Sequence, residues 1–312
     1  MNIEPSGEAA EYGRQASRAF AAAGGDRLAP LAEAEPERRG ALVEPVLREL
    51  GAWELRPRDD PDDLEAAAAL CRSAGYRALA YPLAERLARP AGLGTDGLLV
   101  VDGPAPRAPV AGLDLRWTAV TLDGRRGEAV VRSGERSLDS AVVAELDVRP
   151  LDAAGAGDVA LGLVLPCWTL LGMLDRALDL TRSHVLARHQ FGEPLARRQG
   201  VRFQLADAEV ERGGAEALAA YALWSVQSGR AEALDDALAL RLAALEAAEA
   251  VFRTAHLLHG AMGFCDESPL SWVSRCSRPV RWLPLGLSAT RDHLARRLGR
   301  HGLTGLFSEA AT

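Results

Sequence analysis

Arg188-His-Gln-Phe-Gly-Glu-Pro-Leu195, followed by Gln199, Phe203, Leu205, Ala206 and Asp207, is the stretch that orders the rest of the chain. An amphipathic helix ends there in an arginine, a phenylalanine and a glycine, and a second helix starts after a proline. An arginine at a helix end, beside an aromatic and a glycine-permitted turn, can grip a phosphate bidentately while the ring packs on a flat group. The same residues also describe an ordinary helix C-terminus, with a dipole-matched arginine and a Gly/Pro stop. The stretch alone leaves both readings open.

Upstream of it, Leu161, Leu165, Trp168, Leu171, Leu174, Leu178 and Val185 recur at helical steps. Downstream, Phe203, Ala206, Val210, Ala217 and Trp224 do so, and then Leu238, Leu242, Leu245 and Phe252. With a shorter segment at Ser288 to Leu298 they predict a C-terminal four-helix bundle over residues 153–312. Its alanines permit close helix approach and a second apolar face toward another subunit. Residues 1–91 read as a small helical domain, with breaks at Gly24-Gly25, Gly51, Pro57 to Pro61, and Gly75. Residues 92–152 change to short β-branched runs at Leu98 to Val101, Trp117 to Leu122, Ala129 to Val131 and Ala141 to Val148, which predict a small antiparallel β domain. The fold class is therefore mainly α with a small β domain.

The 312 residues, 48% hydrophobic and 25% charged, supply a sizeable core. All 36 basic residues are arginine, and a net charge of -7 with arginines scattered among carboxylates argues against a nucleic-acid partner. Cys71, Cys167, Cys265 and Cys276 lack Cys-x-x-Cys spacing, and no signal peptide or membrane span is expected, so a reducing cytoplasm fits. Cys167 beside Trp168 reads as a small core hydrophobe.

Two blocks carry a family resemblance. Leu171-Leu-Gly-Met-Leu-Asp-Arg-Ala-Leu-Asp179 leads to Arg188-x-x-Phe191-Gly192, and His256-Leu-Leu-His-Gly-Ala-Met-Gly-Phe264 is followed by Glu267, Pro269-Leu270 and Arg275. Both, with weaker support from Arg48-Glu-Leu-Gly51 and Arg77 to Glu85, resemble the acyl-CoA dehydrogenase family. In that family one subunit's bundle reaches the adenosine and pyrophosphate end of an FAD held mainly by its neighbour. The resemblance implies that Arg188 pairs with the pyrophosphate, Gln190 donates a hydrogen bond and Phe191 packs along the nucleotide. Gly260 and Ala261 would lie where the backbone approaches it. Leu257 departs from the family's glutamine, a lost hydrogen bond of about 1 kcal/mol. His256 and His259 have no carboxylate or cysteine at ligand spacing, so packed, hydrogen-bonded histidines are expected there rather than a metal.

The larger departures concern chemistry. The family removes the α proton of an acyl-CoA thioester with a glutamate while FAD takes the β hydride. The position usual for that base falls in Trp282-Leu-Pro-Leu-Gly-Leu-Ser-Ala289, and the alternative position falls near Gly162; neither holds a carboxylate. No catalytic residue is therefore assigned, and Asp158 and Glu267, the nearest acids, are expected to be solvated. The β domain looks too short to cradle the flavin ring, and Trp117-Thr118 reads as a strand pair. The pattern implies a hetero-oligomer, two plus two, in which this chain is the base-lacking subunit and a homologous acyl-CoA dehydrogenase subunit holds the FAD and the acyl-CoA substrate. Open alternatives are a self-sufficient homodimeric dehydrogenase with an atypical base, and a flavin-free assembly scaffold.

Overall fold

The computed structural model describes residues 3–132, 140–302 and 305. Five helices, α1 (Gly7–Ala22), α2 (Leu28–Ala34), α3 (Arg39–Glu49), α4 (Pro61–Tyr76) and α5 (Leu83–Leu87), precede the strands. The Ser6 hydroxyl caps α1, and the Asp60 carboxylate followed by Pro61 at the first helical position starts α4. The run at Leu79 to Leu87 is helical only in its second half. Ala78 takes a left-handed φ of 49°, which breaks the chain before α5.

The strands are β1 (Gly97–Val101), β2 (Arg107–Ala108), β3 (Trp117–Thr121), β4 (Arg125–Val131) and β5 (Ala144–Ala154), in the order β1-β3-β4-β5-β2. The expected antiparallel sheet is in fact mixed. β1 runs parallel to β3, with Gly97 opposite Trp117, and the other pairings are antiparallel. Trp117 is buried in the small core of this sheet and packs at Gly97, where a Cβ would fall 2.4 Å from its ring.

The long helices α6 (Ala156–Ala187), α7 (Gln199–Gln227) and α8 (Ala233–His259) follow, then α9 (Pro269–Trp282) and α10 (Leu287–His301). The predicted Ser288–Leu298 segment lies within α10, and α9 is a further helix between α8 and α10. A short hairpin, β6 (His189–Gln190) and β7 (Glu193–Pro194), joins α6 to α7. The predicted stripe of α6 is buried throughout, Cys167 included. That helix is long and apolar enough to cross a membrane, but 78% of its apolar window is buried inside this protein, which accounts for its composition. On α7 the predicted stripe faces outward: Phe203 is 56% and Val210 71% exposed, and Ala208, Ala215, Ala219, Ala222 and Leu223 form the inward face.

The tightest packing is between α4 and α6. A Cβ at Gly75 would stand 1.8 Å from the Thr169 carbonyl oxygen, and one at Gly172 would stand 1.9 Å from that of Arg72. The two backbones touch through paired glycines, so Gly75 lies in the last turn of a continuous helix rather than at a break. Arg72 ties the same crossing to α7, pairing with Asp175 at 2.7 Å and Glu216 at 2.5 Å. Overpacking a core commonly costs about 1–3 kcal/mol, and here the clash is with a backbone that cannot step aside. Gly172→Ala should therefore lose at least about 3 kcal/mol or fail to fold, whereas Gly200→Ala, with nothing within 4 Å of its Cβ, should be neutral or stabilising by urea denaturation.

Candidate functional site

The two motif blocks meet at one end of the bundle. His184, in the last turn of α6, stacks on His259 at the end of α8, with ring centroids 4.3 Å apart. His256 stacks on Phe264 at 4.4 Å, and its Nε2 lies 3.0 Å from the Ser274 hydroxyl. The His259 Nδ1 donates to the Ala255 carbonyl at 2.8 Å. Burial lowers all three imidazoles; His184 and His256 are lowered further by the His259 ring, and His184 also by Arg188. His256 and His259 are packed histidines at a helix end, as the sequence suggested, and His184 joins them.

Arg188 is the C-cap of α6, exposed and without an ion pair among the described residues. Phe191 and Gly192 form the two-residue turn of the β6–β7 hairpin, with φ of 57° and 85°. Left-handed φ at both central positions is what a type I′ turn requires. Glycine takes it freely; phenylalanine does so under strain, and its ring is left 84% exposed. Arg198 braces the turn, donating to the Gln190 carbonyl at 3.3 Å with its guanidinium 5.1 Å from the Phe191 ring. Gly260 caps α8 at φ 61°, ψ -143°, a conformation open essentially to glycine, and Ala261 follows it on the surface. Leu186, Leu257, Met262 and Phe264 are 58%, 63%, 62% and 68% exposed around them. An exposed, unpaired guanidinium, a displayed ring and bare backbone at Gly260 fit the nucleotide end of a dinucleotide.

The region where a flavin ring and thioester would lie is closed. Gly162 and Pro284, which fall in the two stretches where the resemblance would put a base, line one cavity of about 40 Å³. A Cβ at Gly162 would meet Val100 of β1 at 2.5 Å, so the strand occupies the place of a side chain there. Pro166 has no amide to offer the Gly162 carbonyl, and Arg241, 2% exposed, holds the opposite wall by donating to the Leu283 and Leu285 carbonyls at 2.7 and 2.6 Å. An adjoining cavity, lined by Arg39, Pro166, Trp272 and Arg275 among others, measures about 70 Å³. Ligand pockets run to roughly 300 Å³ and above, so the flavin ring does not fit here.

Of the two acids considered from sequence, Glu267 is exposed as expected and Asp158 is not. Asp158 is 2% exposed and bridges Arg58 at 2.6 Å and Arg126 at 2.7 Å. A carboxylate held by two guanidiniums joins the loop before α4, strand β4 and the start of α6, and its two ion pairs favour the charged form and hold it in the protein interior.

Sequence reading passed over Glu85. It is the one carboxylate lining the 40 Å³ cavity, it also lines the 70 Å³ one, and it makes no side-chain ion pair among the described residues. Burial pushes its carboxyl up to about 7. The available signal was a lone acid amid Leu83, Ala84, Leu87 and Ala88, all of them buried.

Residues 163–298 match the family model for the acyl-CoA dehydrogenase C-terminal domain. Acyl-CoA dehydrogenase FadE27 of Mycobacterium tuberculosis is 30% identical over 199 residues, which is 57% of this chain and 50% of that protein. Acryloyl-CoA reductase (NADH) of Anaerotignum propionicum is 31% identical over 105 residues, 34% of this chain and 26% of that protein. The chain thus matches half or less of the length of these curated relatives. The ChsE4-ChsE5 complex of Mycobacterium tuberculosis superposes with a TM-score of 0.72 at 18% identity, covering 97% of this chain and 100% of that one. The Tcur3481-Tcur3483 steroid ACAD gives 0.74 at 21%, covering 94% and 98%. At those identities the likeness is one of fold. Both motif blocks meet at the bundle end within residues 163–298, which match the acyl-CoA dehydrogenase C-terminal domain.

Proposed function

We propose that this chain is the base-lacking subunit of a heteromeric, cytoplasmic acyl-CoA dehydrogenase, two plus two, completing the FAD site of a homologous partner for α,β-desaturation of an acyl-CoA thioester. The observation that carries the reading is an asymmetry. The residues that would serve a neighbour's cofactor are open at the bundle end, and the positions that would serve this chain's own flavin and base are closed or unarmed. Two fold neighbours whose names pair two proteins, ChsE4-ChsE5 and Tcur3481-Tcur3483, support an unlike-subunit assembly.

When bound, FAD supplies the hydride acceptor. Arg188 offers its guanidinium to the pyrophosphate, Gln190 a hydrogen bond, and Phe191 a flat face along the nucleotide. Gly260 and Ala261 let the backbone approach, and Leu257 packs where the family's glutamine would bond. In this role the chain contributes binding and exclusion of water, and proton transfer belongs to the partner. Truncating a charge that grips a buried phosphate costs about 2–4 kcal/mol, so Arg188→Ala should strip most of the FAD from the complex on dialysis; full retention would reduce Arg188 to a helix-end charge.

Glu85 is the observation that favours the self-sufficient enzyme, and one variant separates the two readings. Under the base-lacking reading Glu85→Gln leaves turnover of the complex within a few-fold, and a collapse with flavin still bound would restore the chain's own chemistry. A stability effect follows in either case. A carboxyl raised above its ordinary 4.5 contributes fully to stability below that value, and the contribution is lost as pH rises through about 7. The advantage of Glu85→Gln over wild type in urea should therefore grow between pH 5 and 8, by roughly 1–2 kcal/mol after allowing for solvent in the crevice.

A further inference from the structure

The walls of the 70 Å³ cavity carry more positive charge than the protein neutralises. Arg39 of α3 lines it, is 1% exposed and makes no ion pair among the described residues. Its terminal nitrogens donate to the carbonyls of Ala80, Pro109 and Ala111 at 3.1, 2.8 and 2.7 Å, and its buried Nε–H has no acceptor among the described residues. Burial lowers Arg39 to about 10, which still leaves it charged at neutral pH. Arg275 of α9 lines the same cavity, and its buried Nε–H likewise has no acceptor there, while its other end pairs outward with exposed Asp266 at 2.6 Å. Buried cations and buried N–H groups without partners are unfavourable, so both side chains lack an anionic acceptor.

Two acids share these walls. Glu33 of α2 is committed, since its carboxylate accepts from the Ala141 amide at 2.9 Å. Glu85 of α5 has no side-chain hydrogen bond or ion pair among the described residues, and burial pushes its carboxyl up to about 7. The remaining titratable groups around it do not supply the missing anion. The Tyr81 hydroxyl donates to Glu44, burial pushes the Cys276 thiol up to about 12, and α6 contributes only Pro166, Thr169 and Met173. Across the 40 Å³ cavity Arg107 pairs with Glu145, and Arg241 adds one more buried cation. With Glu85 ionised, two guanidiniums face two carboxylates and the charges balance. With Glu85 neutral, one positive charge is left over, so gain of an anion is coupled to gain of a proton.

Volume sets the class of anion. A cavity of about 70 Å³ matches roughly two waters, room for a planar oxyanion of about three or four non-hydrogen atoms and too little for a longer acid. Two guanidinium N–H donors and one carboxylic O–H suit the oxygens of such an ion. We propose that this cavity binds a small monovalent oxyanion of the formate or nitrate type together with one proton, with the oxygens on Arg39 and Arg275 and the proton on Glu85. The anion and one solvent proton enter, and the Glu85 O–H is the one covalent bond formed. Bound there, the ion joins α3 and α5 to α6 and α9, across the seam between the N-terminal helices and the bundle. The site shares no residue with the bundle end assigned to the flavin nucleotide.

The test is calorimetric titration of the full chain with sodium formate, and separately sodium nitrate, at pH 6 and pH 8 in buffers of different ionisation enthalpy. Affinity should fall about tenfold from pH 6 to pH 8, as the protonated fraction of Glu85 declines through its value of about 7. Proton uptake per anion should be near zero at pH 6 and near one at pH 8. Glu85→Gln keeps a donor of similar shape and removes the titration, so at pH 8 it should bind about as tightly as wild type does at pH 6, with no proton taken up. Arg275→Gln should weaken binding at least about fivefold at both pH values. Benzoate, too large for the cavity, should not bind. A folded wild-type chain that binds neither formate nor nitrate overturns the proposal and leaves the cavity to water. Binding that is indifferent to pH and unchanged in both variants marks an adventitious surface ion only, and overturns it as well.

Discussion

The crossing of α4 and α6 at Gly75 and Gly172 is the contact on which the architecture depends. With both backbones touching, the long core helix is fixed against the N-terminal helices, and its other faces are then offered to α8, α7, α9 and strand β1 at distances set by that one approach. The polar ties around it are consequences of the same placement. Arg72 can reach Asp175 and Glu216, and Tyr76 can donate to Asp179 at 2.9 Å, because the helices are held this close.

The position of α6 also decides which half of the family's machinery this chain can offer. At its N-terminal end Asp158, clasped by Arg58 and Arg126, draws the sheet onto the helix, and buried Arg39 fastens α3 to the segments at Ala80, Pro109 and Ala111. β1 is thereby pressed onto Gly162, and the crevice where thioester chemistry would occur is reduced to two small cavities. At its C-terminal end α6 meets only the hairpin, the turn after it and the end of α8 among the described residues, and Leu186 and Arg188 are left exposed. Arg188 and the Phe191-Gly192 turn project from the helix end, and the His184–His259 stack holds the α8 terminus beside them. One rigid helix thus links a closed end to an open one.

The parts legible in the sequence are those with a local cause. The α6 stripe repeats along a single face, and the Phe-Gly turn and the stacked histidines sit in short motifs. The rest depended on partners distant along the chain. On α7 the strongest apolar residues point outward and alanines make the inward face, so hydrophobic spacing chose the wrong side. Helix α9 escaped notice because its buried face mixes Leu270 and Val273 with Ser271, Ser277 and Pro279. The parallel pairing of β1 with β3 has no signature in either strand. Asp158 looked like a solvated helix-start charge because Arg58 lies a hundred residues before it, and Glu85 was passed over because its cavities are assembled from segments scattered along the whole chain.

The central claim, that this chain serves a flavin it does not hold alone, is tested most directly by the flavin content of purified protein. The chain expressed by itself should be colourless, and co-expression with its homologous neighbour should yield a yellow complex with one FAD per unlike pair. A stoichiometrically flavinylated monomer or homodimer of this chain would contradict it.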